Sequence, residues 1–190
     1  MKKTIIIALL ALLCVGASAQ SSIPSKLLKG IETTKDEFTG ETTYSSKNCS
    51  LSIVQKNDST TLYFSLSCAS FDTPVKLKKI YVLTNGQTNT FDGNFSLKEI
   101  PTRVMTANAT GRFGTSSYKG AQFGTRMNYV EEWKENAEPY LPMIKSIISN
   151  SGKVKFEGEN NTLIYEFPPK VMKKMGAVLA LYEYLKGVGK

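Results

Sequence analysis

Residues 48–70 read NCSLSIVQKNDSTTLYFSLSCAS, two cysteines around an alternating run with a polar knot at its centre. Alternation over this length predicts a pair of β-strands, because successive side chains on a strand point to opposite faces. With Asn57–Thr60 as the loop, Lys56 faces Thr61, and the antiparallel register pairs Ile53 with Phe64, Leu51 with Leu66 and Cys49 with Cys68. One face then carries Cys49, Leu51, Ile53, Leu62, Phe64, Leu66 and Cys68; the other carries mostly serines, with Val54 and Tyr63. A slip of one residue would exchange the faces, so the pattern itself specifies the alignment. The facing thiols predict a Cys49–Cys68 disulfide. Opposed Cβ atoms lie about 4.5–5.5 Å apart, near disulfide geometry, and closing this loop would stabilise the fold by roughly 3 kcal/mol. A metal site would need more ligands, and the chain has no histidine. A Cys-x-x-Cys redox spacing is absent. No metal and no cofactor is expected.

Oxidised cysteines require a suitable compartment, and the N-terminus supplies one. The chain opens MKKTIIIALLALLCVGASAQ: two lysines, an apolar run from Thr4 to Val15, then Ala17-Ser18-Ala19. That is the layout of a secretory signal peptide over residues 1–19, with cleavage leaving Gln20 first. Its apolar run is too short to span a bilayer, and no transmembrane segment is expected. Leu13 before Cys14 speaks against a lipoprotein signal. Residues 20–190 suit a single domain with one core. The whole chain carries +8, and loss of Lys2 and Lys3 leaves +6. An excess of this size reads as a solvated basic surface; in an exported chain its polyanions would be glycans or lipid headgroups rather than nucleic acid.

Working outward, Asp36–Lys47 (DEFTGETTYSSK) alternates and reads as a strand. In VKLKKIYVLTNGQTNTFDG, Asn85-Gly86 marks a two-residue hairpin turn. Alternation breaks near Lys78-Lys79, which admits a bulge, and the polar arm Gln87–Phe91 suits a sheet edge. A third hairpin, KVKFEGENNTLIYEF, turns at Asn160-Asn161 and pairs Phe156 with Tyr165, Val154 with Phe167 and Lys155 with Glu166. Helices are expected later. Asn128 three residues before Glu131 resembles a capping box, Pro139 and Pro142 should break or kink the helix begun there, and Met143–Ser149 forms a short striped helix. The firmest helix comes after Pro168-Pro169, with Val171, Met175, Val178, Leu179, Tyr182 and Leu185 on one face. Such a stripe packs on a sheet that needs a cover.

Without histidine the usual serine and cysteine triads are excluded. Paired carboxylates remain for glycoside hydrolysis, but Glu131, Glu132, Glu135 and Glu138 read as one solvated helix face with Lys134 among them. The segment Arg103–Tyr129 is punctuated by four glycines and interleaves aromatic with basic residues. Arg112, Phe113, Tyr118, Phe123 and Arg126 are the candidate binding residues, able to stack on sugars or grip anionic groups. The competing reading is a long irregular connection whose aromatics fill the edge of the core.

The Lys-Lys leader, the Ala-Ser-Ala-Gln junction, the Thr/Ser-rich hairpins and the closing VKFEGENNTLIYEFPPKVMKKMGAVLALYEYL together resemble small exported proteins of Bacteroidota, many of them uncharacterised. The resemblance implies a periplasmic or secreted location and no particular activity. Asp58-Ser59-Thr60 is similar to the short O-glycosylation pattern of that group, which makes Ser59 a candidate site. The expectation is one α+β domain: a mostly antiparallel sheet of about six strands with the C-terminal helix on one face. The leading functional reading is a non-enzymatic domain that binds a protein or glycan partner. The alternatives are a carboxylate-dependent hydrolase acting on glycans, and a structural subunit assembled through an exposed edge strand.

Overall fold

The computed structural model describes residues 23–57, 59–93, 95–106 and 122–188. Residues 1–19, expected to be a signal peptide, therefore lie outside the described residues. Among the described residues, ten strands and two helices are arranged in the order β1 (Glu32–Lys35), β2 (Thr42–Ser45), β3 (Leu51–Lys56), β4 (Ser59–Phe71), β5 (Leu77–Thr84), β6 (Gln87–Phe91), β7 (Ser96–Thr106), β8 (Gln122–Asn136), a 3-10 turn (Glu138–Tyr140), α1 (Leu141–Asn150), β9 (Lys153–Gly158), β10 (Thr162–Glu166) and α2 (Pro169–Val188). They make an antiparallel α+β fold with two sheets. The larger has the order β1-β2-β3-β4-β8-β7 and the smaller β10-β9-β5-β6. Among the described residues no helix is long and apolar enough to cross a membrane.

The opening hairpin keeps its faces and changes its register. Lys56 pairs with Ser59 and Leu51 with Phe64, so the turn is two residues long rather than four. Asn57 takes φ +53, the left-handed conformation that begins a primed hairpin turn and matches the twist of the strands. The two-residue slide preserves parity, so Leu51, Ile53, Leu62, Phe64, Leu66 and Cys68 all remain on the buried face. It also separates the thiols: the Ser65 amide donates to the Ser50 carbonyl at 2.8 Å, which places Cys49 level with Leu66, while Cys68 faces Glu131 on β8. Both cysteines are free, and the predicted disulfide is corrected accordingly.

The third hairpin slides in the same way. Gly158 donates to the Asn161 carbonyl, and Glu157 pairs with Thr162. Val154 thus faces Tyr165, and Lys153, not Lys155, meets Glu166, at 3.0 Å. The turn is held one residue early by docking on the 74–76 segment. The Glu159 and Asn160 amides donate to the Lys76 and Val75 carbonyls, and the Asn160 side chain to that of Pro74. The second hairpin matches its sequence closely. Asn85 and Gly86 both take positive φ, β6 is an edge, and the register shifts between Leu77 and Lys79.

Two stretches differ in kind. Residues 128–136 are strand, because Glu131 and Trp133 are buried on a period of two between β4 and β7. Pro139 and Pro142 stand at the starts of the 3-10 turn and α1, where a missing N–H costs nothing. Residues 103–106 and 122–129, expected in an irregular connection, are the paired ends of β7 and β8. The run from Asp36 is also interrupted: its carboxylate accepts the Phe38 and Thr39 amides, making the turn between β1 and β2.

The core lies between the sheets. Phe64 from the larger sheet meets Trp133, and Trp133 meets Phe91 of the smaller sheet at 4.6 Å. The helix α2 buries Met175, Val178, Leu179, Leu181 and Tyr182 against β3, β4 and α1. Glu131, 4% exposed, crosses between the sheets: its carboxylate accepts the Lys76 amide at 2.9 Å and the Leu77 amide at 2.6 Å.

Candidate functional site

A pocket of about 360 Å3 opens where the two sheets and the start of α2 meet. Its walls arise from how β3 begins. Asn48 takes φ +57 and the Cys49 amide donates to the Ser46 carbonyl at 3.0 Å, so the chain swings in from the side and enters the ladder only at Ser50. From Leu66 onward β4 has β8 on one side and, among the described residues, no strand on the other. The facing wall is β10, the outermost strand of the smaller sheet. Pro168-Pro169 ends the strand segment and starts α2, closing the third side.

Buried Leu66, Val154, Phe156 and Phe167, with half-buried Val171, form an apolar floor. Around it stand Asn48, Ser50, Ser65 and Ser67, then Tyr165 and Glu166. Glu166 is held by Lys153, so the rim carries hydroxyls and amides rather than an unpaired acid. Cys49 lines the same wall; burial pushes its thiol up, against the Leu51 amide and the Lys174 ammonium, which pull it down. Lys174 also donates to the Lys47 carbonyl beside the rim. Cys68 lies away from this lining, and burial, then the Glu131 carboxylate, push its thiol up to about 12. Neither thiol is poised as a nucleophile. The arrangement suits binding: a few polar groups orient a ligand over an apolar base.

Of the candidate binding residues singled out from sequence, Phe123 and Arg126 are described. Phe123 is opposite Met105 and Arg126, exposed, is opposite Thr102, both on β8. Arg112, Phe113 and Tyr118 lie outside the described residues. Ser59 is exposed as the first residue of β4 at the hairpin tip. The acidic run does not share one solvated helix face. Glu131 is buried, and Glu138 in the 3-10 turn accepts from the Tyr182 hydroxyl at 2.6 Å and from Lys186. Sequence reasoning missed the pocket because its lining comes from four separate stretches: 48–50, 65–67, 154–156 and 165–171. The one local signal was Pro168-Pro169, which marks a change of direction.

Searches against protein-family models and against curated proteins found no match for this chain.

Proposed function

We infer that the chain is an exported, non-enzymatic binding domain whose ligand occupies the pocket between β4, β10 and the start of α2. One observation carries the binding reading: an apolar floor with a hydroxyl and amide rim lies open beside two strand edges that have no neighbouring strand among the described residues. Export rests on the lysine, apolar run and Ala17-Ser18-Ala19 order of the N-terminus, which calls for a periplasmic or secreted product. Hydrolysis of glycans is less well supported. It needs two carboxyl groups facing each other roughly 5–10 Å apart, and among the described residues lining the pocket Glu166 is the one acid, paired with Lys153.

Two measurements test this. The mature chain and a Ser67→Trp variant, which fills the pocket from an exposed rim position, are compared by thermal shift against oligosaccharides, lipid-headgroup analogues and peptides. A ligand that raises the Tm of the parent and not of the variant is expected. Equal shifts, or none in the parent, would remove the pocket from the assignment. N-terminal sequencing of the protein recovered from the cell envelope or medium should begin at Gln20, and an intact Met1 would end the export reading.

A second reading uses the ribbon beyond β4. β7 and β8 continue to pair from Pro101–Met127 out to Thr106–Gln122, past the last β4 partner at Phe71–Asn128. A two-stranded ribbon has little stability of its own in water, and Arg126 stands exposed on it. On this reading Arg126→Ala weakens capture of a partner without lowering Tm.

A further inference from the structure

The geometry points to an extended peptide segment as the occupant, added to the smaller sheet as a new strand along β10 with its inward side chains in the pocket. This rests on the pocket being the ligand site. Peptide is favoured over sugar or lipid by the direction of main-chain groups. Hydrogen-bonded pairs alternate along an antiparallel ladder. Gly158 donates to the Asn161 carbonyl and Phe167 to the Gly152 carbonyl, which fixes the alternation at both ends of β9–β10. The main-chain groups of Leu163 and Tyr165 therefore point toward β9, and those of Thr162, Ile164 and Glu166 point to the free edge. The Thr162 amide is already taken by the Asn161 side chain at 2.8 Å. Ile164 and Glu166 remain, spaced as a neighbouring strand would meet them.

Exposure agrees with an uncovered edge: Ile164 is 65% and Tyr165 45% exposed. β10 lacks the usual protections of such an edge, since it contains no proline or lysine and no bulge interrupts its ladder. Side chains of an added strand would alternate between solvent and the floor of Leu66, Phe156 and Phe167. Charge selects further. The helix α2, which closes the pocket at Pro168 and Val171, carries Lys170 and Lys174 and no acid in its first turn; Lys174 donates to the Lys47 carbonyl, one residue before Asn48 of the rim, while Glu166 is neutralised by Lys153. The fitting segment is apolar at alternate positions and acidic at the end beside α2. Binding of this kind takes affinity from main-chain bonds and selectivity from the pocket.

Panning a display library of random twelve-residue peptides on the mature protein should enrich sequences with that pattern. A synthetic enriched peptide is then compared with a copy N-methylated at alternate residues, in the phase that removes its edge-facing amides. About a tenfold or larger loss of affinity is expected for the methylated copy. Ile164→Pro should cause a similar loss, because it deletes an outward N–H that the fold does not use; Ile164→Thr, which keeps the amide, should bind within about twofold. Should the proline variant fail to fold, the methylated peptide still decides. No enrichment, or equal binding of the methylated peptide, overturns the strand-addition inference. If an oligosaccharide or headgroup analogue nevertheless binds and is blocked by Ser67→Trp, the pocket assignment stands without it. A dimer in light scattering that Ile164→Pro dissociates would place a second copy on this edge and also overturn it.

Discussion

Glu131 shows how one side chain can join two sheets. Its carboxylate is buried and accepts the Lys76 and Leu77 amides, next to the register shift where β5 begins. Both bonds are charge-assisted, and losing the acceptor leaves two donors unmet. Glu131→Ala is expected to destabilise the fold by about 2–4 kcal/mol, and Glu131→Gln by about half that, because one oxygen remains. Urea unfolding midpoints measure the difference, and equal midpoints for the two variants would contradict the account. The thiols provide a second test at this scale. Cys68 is buried with its pKa near 12, whereas Cys49 is partly exposed at the pocket wall. At pH 8 only about one Cys68 in ten thousand is thiolate, and the thiolate is the reactive species. Alkylation of the native mature protein should label Cys49 first. Equal rates at the two positions would mean that the larger sheet is packed differently.

Among the elements, the turn between β9 and β10 is set by what it rests on. A Cβ built on Gly158 would lie 2.1 Å from the Val75 carbonyl oxygen, although its backbone conformation is ordinary. Gly158→Ala must therefore push the 74–76 segment away, at a cost of about 2 kcal/mol. Thermal unfolding checks this, and an unchanged Tm would show that the segment yields freely. The C-terminal helix is tied down by a different device. Hydrogen bonds from Lys186, then Tyr182, hold the Glu138 carboxyl below its usual 4.5. A lowered pKa in the folded state means that the contribution is complete above about pH 4.5 and is lost as pH falls through the lowered value. Glu138→Gln should be less stable than the parent at pH 7, and the gap should close below pH 4.5. A gap that persists unchanged at pH 3 would assign the loss to geometry instead of charge.

At the scale of the molecule, the two sheets are joined through Phe64, Trp133, Phe91 and Tyr140. Trp133 is 2% exposed and is the single tryptophan of the chain. Its emission should be blue-shifted and shielded from iodide until the sheets part, and Trp133→Ala should cost about 3–5 kcal/mol. Native emission quenched by iodide as fully as in urea would contradict this packing. Much of the architecture was legible in local pattern. Alternation identified the three hairpins and their buried faces, Asn85-Gly86 located a turn, and helical spacing marked α2. Those features depend on neighbours a few residues apart, so the chain encodes them directly. Register was less legible: parity tells a strand which face to bury, but a slide of two residues leaves parity unchanged, and only the turn at Asn57 and the docking of Asn160 choose between alignments. Tertiary structure alone decided that Glu131 and Trp133 belong to a strand, that the two cysteines part, and that four distant stretches enclose a pocket. The physical reason is that each of these depends on what lies across the core, and distance along the chain carries no record of it.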